Sequence, residues 1–172
     1  MLDLSESYGL KLFLNFHPLV PIDALVKADK HLACAGFWIG NTIQWGSTDL
    51  IDWKPFSDRR VRRQEDQLVS PLLRRLDWEP DPNKPADKGP VGGLSGPICR
   101  QFTISTIRDA RHAGVTKPII GGNGFQLSWH LDRLWEAGAN GAALGIVAMI
   151  RPWRLRKLIA HGRLIWPLRS EA

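Results

Sequence analysis

Four short apolar runs, each followed by a segment with helical periodicity, constrain this chain more than any other feature. The runs are Lys11–Phe16, Leu32–Ile39, Lys117–Gly121 and Gly141–Ile146. Pro21 suits the first position of a helix carrying Ile22, Leu25 and Val26, because the missing N–H has no partner to lose there. Ile98, Phe102, Ile107 and Ala110 mark a second helix that Gly114 stops. Leu127, Leu131, Leu134 and Trp135 mark a third, with Gly138 as its C-terminal stop. Pro152 opens a last helix with Leu155, Leu158 and Ile159 on one face. Short apolar strands alternating with amphipathic helices specify a parallel sheet with helices outside it. An open doubly wound sheet and part of a (β/α)8 TIM barrel both satisfy that order. A complete barrel takes roughly 250 residues. With 172 residues and four βα units, this chain amounts to half of one.

The alternation is broken once. Residues 43–91 form a long irregular stretch after the second strand, containing Pro55, Pro71, Pro80, Pro82, Pro85 and Pro90. Loops of this length inside a domain are usually functional lids or disordered. Ser70–Leu76 suggests one helical turn, and Glu79–Pro90 reads as an open loop. Trp45 and Trp53 fall in this stretch, either as a stacking lid or as anchors that bury the loop. The expected organisation is a single partial-barrel domain over 1–172, with 43–91 inserted and 151–172 a basic helix and tail.

The net charge of +6 is unevenly spread. Residues 1–50 carry 3 basic and 5 acidic side chains, whereas residues 151–172 carry 6 and 1. Such a basic end meets phosphate, RNA or an acidic partner, or is a solvated helix face. The aromatic and basic residues of 45–63 also permit a single-strand nucleic-acid reading, which lacks a recognised motif. No apolar run reaches the length of a membrane span, and the N-terminus has acids where a signal peptide has a basic region. Cys34 and Cys99 cannot build a disulfide framework, so a cytoplasmic protein is expected. Cys34 lies in an apolar strand and reads as packing. Cys99, early in a helix, either faces the core or has a lowered thiol pKa. His112 and His130 lack metal-ligand spacing, and no metal site is expected. Ser95 has no His or carboxylate at a telling distance in sequence, so nothing supports a hydrolase.

Chemistry is signalled by glycine. Gly92-Gly93-Leu94-Ser95-Gly96, Gly121-Gly122-Asn123-Gly124 and Gly145-Ile146 each follow an apolar element. Glycine lets a backbone approach an anion closely, and a following helix presents unpaired N–H groups. Loops after the last two strands of a (β/α)8 barrel often form a phosphate site. None of these segments has the Lys-Ser/Thr of a P-loop.

Asn41-Thr42 at a strand end, GGLSGP at 92–97, PIIGGNG at 118–124 and Glu136-Ala137-Gly138-Ala139 occur in a telling order. In this the chain resembles the C-terminal half of a dihydroorotate dehydrogenase, an FMN enzyme of pyrimidine biosynthesis with a (β/α)8 barrel. The resemblance is strongest over 92–150 and weakest over 43–91. It implies that Asn41 hydrogen-bonds a pyrimidine substrate, with Thr42 beside the flavin. It also implies that Gly93, Ser95 and Gly96 line the phosphate and ribityl region. The N–H groups around Asn123 and Gly124, with Gly145 and Ile146, would hold the phosphate.

The departures from that family are specific. Asn15 stands where the family has a lysine supporting the flavin, so a donor remains and the charge is lost. Asn123 replaces a usual glycine, and Ile146 a usual threonine. The family's proton-abstracting serine or cysteine belongs to the first barrel half, so no catalytic residue is assigned in this half. His17 ends a strand at the correct face but reads as a loop histidine before Pro18. Half a barrel exposes two strand edges and an apolar face. The implied partners are therefore a first-half polypeptide or a second copy of the chain. A non-catalytic flavin- or phosphate-binding half barrel is the alternative reading.

Overall fold

A computed structural model describes residues 2–44, 47–51, 53 and 93–166. The chain divides into two compact units, Met1–Thr42 with Ser95–Ala172, and Ile43–Leu94. In the first unit, α1 (Leu2–Ser7), β1 (Leu12–Phe16), α2 (Ile22–Asp29) and β2 (Cys34–Ile39) come first. In the second unit, β3 (Ile43–Gln44) pairs antiparallel with β4 (Gly93–Leu94). The first unit resumes with α3 (Cys99–His112), β5 (Ile119–Gly121), α4 (Ser128–Glu136), β6 (Gly141–Ala142), α5 (Ile146–Ile150) and α6 (Pro152–Ile165). None of the described helices is long and apolar enough to cross a membrane.

The strands of the first unit form one parallel sheet in the order β1-β2-β5-β6. Spatial order follows chain order, without the reversal that defines a doubly wound sheet. The arrangement is compatible with half a barrel. Its two faces differ. Phe37, Ile39 and Ile119 are fully buried and point toward the helices. Gly121 lies on that face too, where a Cβ would come within 2.4 Å of Leu134 Cδ1. The opposite face carries Asn15, Trp38 and Ile120, which the register places side by side, and Phe13, which lies opposite Gly36. Phe13 and Trp38 stay 46% and 42% exposed there, so among the described residues this face has no helical cover.

Most of the periodicity is realised, with three differences. The core stripe of α3 is Cys99, Thr103, Thr106, Ile107 and Ala110, while Phe102 is half-buried. The last strand stops at Ala142, and Ile146 opens α5 instead of ending a strand. Helix α1 was not signalled by its sequence, which is short and polar. Cys34 and Cys99 are both buried, and burial pushes the Cys99 thiol up to about 11, so it packs in the core. Trp53 is 5% exposed, and its Nε1 donates to Thr48 O at 2.8 Å, closing a turn within the second unit. Trp45, Ser70–Leu76 and Glu79–Pro90 lie outside the described residues.

At the N-terminal end of the sheet, polar side chains replace missing backbone ladders. Arg111 donates from Nε to Gly138 O (3.0 Å) and from Nη1 to Val115 O (2.6 Å) and Lys117 O (2.9 Å). Its Nη2 donates to Asn140 Oδ1 at 2.6 Å. Asp29, at the end of α2, accepts the N–H groups of Thr116 (3.2 Å) and Lys117 (2.9 Å) and the Thr116 hydroxyl (3.1 Å). Burial raises the Asp29 pKa, but those hydrogen bonds and the Lys117 charge outweigh it and hold the carboxyl below its usual value. A carboxylate with a depressed folded pKa stabilises fully above its unfolded value of about 3.9 and loses that contribution as pH falls through the folded value. Thermal melts of the wild type should therefore decline below about pH 4 by an increment that Asp29→Asn lacks. At pH 7 the substitution should cost about 1 kcal/mol, and a melt unchanged at both pH values would refute the latch.

Candidate functional site

Where the strands end, their following loops converge on a cleft of about 200 Å³. This is the C-terminal edge of the parallel sheet, the end where such sheets place their ligands. Trp38, Gly40, Asn41 and Thr42 come from the end of β2 and the loop after it. Gly122 to Gln126 come from the loop after β5, and Gly145, Ile146 and Val147 from the start of α5. Ser95 completes the lining.

Backbone contact builds the cleft floor. A Cβ on Gly40 would lie 2.6 Å from Gly122 Cα, so only glycines permit the two loops to touch. A Cβ on Gly124 would lie 2.2 Å from Gly96 O, which packs the loop after β5 against the turn leading into α3. Asn123 adopts φ +80°, the left-handed conformation that asparagine tolerates better than other side-chain-bearing residues. Its side chain joins three loops. Oδ1 accepts the Gly96 N–H at 3.0 Å, and Nδ2 donates to Asn41 O at 3.0 Å. Asn41 Oδ1 accepts the Thr42 N–H at 2.8 Å, leaving its Nδ2 as the remaining donor.

Behind the loop stands His130, 5% exposed on α4. Its Nδ1 accepts the N–H groups of Gln126 (3.0 Å) and Leu127 (3.3 Å) and lies 3.2 Å from Arg100 Nη1. An atom that accepts from these donors carries no proton. Burial, with the Arg100 charge beside it, lowers the His130 pKa to about 4. The same Arg100 Nη1 donates to Gly124 O at 3.3 Å. Because the peptide is trans, the Phe125 N–H points away from Arg100. Gly124 and Phe125 are buried, and among the described residues no group of the chain accepts either N–H. Buried N–H groups without a protein partner are rare and mark a place for an oxygen atom, whether of ordered water or of a ligand.

The cleft is electrically neutral. No Lys, Arg, His, Asp or Glu is among the described residues that line it. Gln126 is buried and held by Arg151, whose Nη1 donates to Oε1 at 2.9 Å. Donors are therefore amide N–H groups, hydroxyls and carboxamides. Among the described residues no cluster of three or more His, Cys, Asp or Glu could hold a metal.

The structure brings Asn41, Thr42, Ser95, Asn123, Gly124, Gly145 and Ile146 together around this cleft. Gly96 sits directly behind it, and its N–H goes to Asn123 and not toward a ligand. Gly93 lies in the second unit, paired with Gln44. Asn15 is exposed on the bare sheet face in register with Trp38 and is not part of the lining. His17 is exposed, accepts the Leu19 N–H at Nδ1 (3.1 Å), and does not line the cleft either. Trp38, Phe125, Gln126 and Val147 escaped the sequence reading. Trp38 carried a usable signal, since an indole next to the last residue of a strand stands at the ligand end of the sheet.

Replacing Asn123 by glycine should keep the turn but lose both bridging bonds, costing about 1 kcal/mol, while Asn123→Ala should cost about 2 because alanine also resists positive φ. Equal denaturation midpoints for the three proteins would contradict the bridge. For His130 the folded pKa lies below the unfolded value of about 6.5, so the unfolded chain binds the proton first. Stability should fall as pH drops from about 6.5 toward 4, and His130→Gln should flatten that slope in melts recorded across the window.

No protein-family model matches the chain, and no curated protein matches its sequence. The cleft itself therefore carries the functional argument.

Proposed function

We propose that this chain is the cofactor-binding half of a dihydroorotate dehydrogenase-like flavoprotein, with the cleft receiving the phosphate end of FMN. The observation that supports this most is the pair of N–H groups on buried Gly124 and Phe125 without a partner among the described residues, in a loop where Gly122 and Gly124 leave no room for a Cβ. Backbone N–H groups of a glycine-rich loop are the kind of donor that phosphate sites use. Arg100 at the Gly124 carbonyl polarises the same peptide and strengthens the Phe125 N–H as a donor.

The size of the cleft limits what it holds. A volume of about 200 Å³ falls below the roughly 300–1,000 Å³ of pockets that enclose a whole small molecule. A phosphate fits, whereas a three-ring flavin has to extend beyond it. The bare sheet face adjoins the cleft at Trp38, offering an exposed indole for stacking and Asn15 as a neighbouring donor. When bound, FMN supplies a two-electron hydride acceptor for oxidation of a dihydropyrimidine. The resemblance gives Asn41 and Thr42 to the substrate and flavin ring, but both line the cleft that receives the phosphate, so on this reading they face the phosphate end, and the substrate-orienting groups and proton acceptor come from outside the cleft. Asn15 leaves negative charge on a reduced flavin without a cationic neighbour at that position, which favours binding over fast turnover. A flavin-holding, non-catalytic half barrel is the second reading for that reason.

Flavin released on denaturing the purified chain tests the proposal, with about one FMN per chain expected. Gly145→Val is the informative variant. A Cβ there meets nothing within 4 Å, so the fold is retained while the branched side chain crowds the cleft. It should lower FMN affinity about tenfold or more at an unchanged melting temperature. A folded chain that neither retains nor takes up FMN, or one whose affinity ignores Gly145→Val, would overturn the assignment.

A further inference from the structure

We propose that two copies of this chain associate by pairing β6 of each with β1 of the other, closing two four-stranded half sheets into one eight-stranded ring. The inference rests on the half-barrel reading but not on flavin binding. Among the described residues β1 and β6 are the two edges of the sheet, and each has a strand on one side only. A twofold axis presents each edge to the opposite edge of the partner twice, so every edge is satisfied and the assembly is closed.

The flanks of the two edges are complementary. Beside β6 lies a groove of about 410 Å³ lined by Leu131, Leu144, Leu158, Ile159, Arg163 and Trp166, among others. Trp166 Nε1 donates to Ala139 O at 3.0 Å, which places this end of α6 level with the start of β6. At the start of β1 the chain displays Leu4, Tyr8 and Leu10, 64%, 73% and 55% exposed. Parallel pairing of β6 with β1 aligns their starts, so these apolar side chains come level with the groove. Charge agrees with this. Helix α1 carries Asp3 and Glu6 and no basic residue, while α6 carries Arg154, Arg156, Lys157 and Arg163 and no acidic one. Within one chain Asp3 and Glu6 face His31 Nε2 at 2.9 and 3.4 Å and both carboxylates keep an exposed side, so the same pairing brings Arg163 toward the partner's α1 as a further cationic neighbour.

Sedimentation equilibrium of the full chain, stripped of flavin, distinguishes this from the flavin proposal. A dimer at micromolar concentration is expected. Ile159→Asp should raise its dissociation constant about tenfold or more by placing a charge in the groove, at unchanged circular dichroism, since Ile159 is 43% exposed in the single chain. Arg163→Glu should weaken the dimer roughly fivefold, and adding Glu6→Lys should restore it. A chain that stays monomeric at 100-fold higher concentration overturns the proposal and leaves a separate first-half polypeptide as the occupant of both edges. A dimer indifferent to Ile159→Asp and to the charge exchange overturns the edge pairing in favour of another interface.

Discussion

The contact on which the candidate site depends is backbone against backbone, where Gly40 meets Gly122 and a Cβ on either glycine would crowd the other loop. It brings the loops after β2 and β5 closer than any side chain allows. Two parallel strands diverge after their last ladder bond unless something holds their ends together. Here Gly122 N–H continues the ladder to Ile39 O at 2.8 Å, and Asn123 then reaches both Asn41 and Gly96. The donors of Gly124 and Phe125 are left over because the turn at Asn123 carries them past the last strand partner. An unpaired buried N–H is tolerable where the rest of the loop is over-determined, and this one is held by glycine contact, by Asn123 and by His130.

The other end of the sheet is held differently. There Arg111 and Asp29 use charge-assisted bonds to gather the turns before β5 and β6. Charge thus secures the end away from the cleft, while neutral amides and one imidazole secure the cleft. Arg100 and Arg151 touch cleft residues only from behind, through Gly124 O and Gln126 Oε1. With no Lys, Arg or His among the described residues that line the cleft, the donors it offers are fixed dipoles of amides and hydroxyls. Such dipoles need no reorganisation when a ligand arrives, and salt screens them less than exposed charge.

Much of this could be read from the sequence, and what escaped has physical causes. Strand and helix order was legible because apolar runs and apolar periodicity mark elements of only 2 to 14 residues. The glycine segment at 121–124 announced the cleft, since Gly122 and Gly124 are confined by contacts that no other residue permits, whereas Gly40, a single glycine after a strand, was not singled out. The spacing of β6 was misread because Gly141 to Ile146 is uniformly small or apolar, and such a run has no period to separate strand from helix start. Asn15 was placed on the correct strand, but alternation on β1 turns it to the bare face, beside the cleft instead of into it. His130 was invisible as an anchor because its role depends on a ring nitrogen facing backbone N–H groups four and three residues earlier.

The distribution of charge along the chain gains a meaning once the sheet order is known. Because spatial order follows chain order, α1 with Asp3 and Glu6 leads into one edge strand and the basic last helix follows the other. In a closed ring of eight strands those edges would be neighbours, so the polarity of the chain becomes attraction across the seam. Within a single copy they stay apart, and the excess charge faces water beside exposed apolar residues. That juxtaposition argues against reading the basic helix as a cleft element, since Arg154, Arg156, Lys157 and Arg163 are all outside the cleft lining.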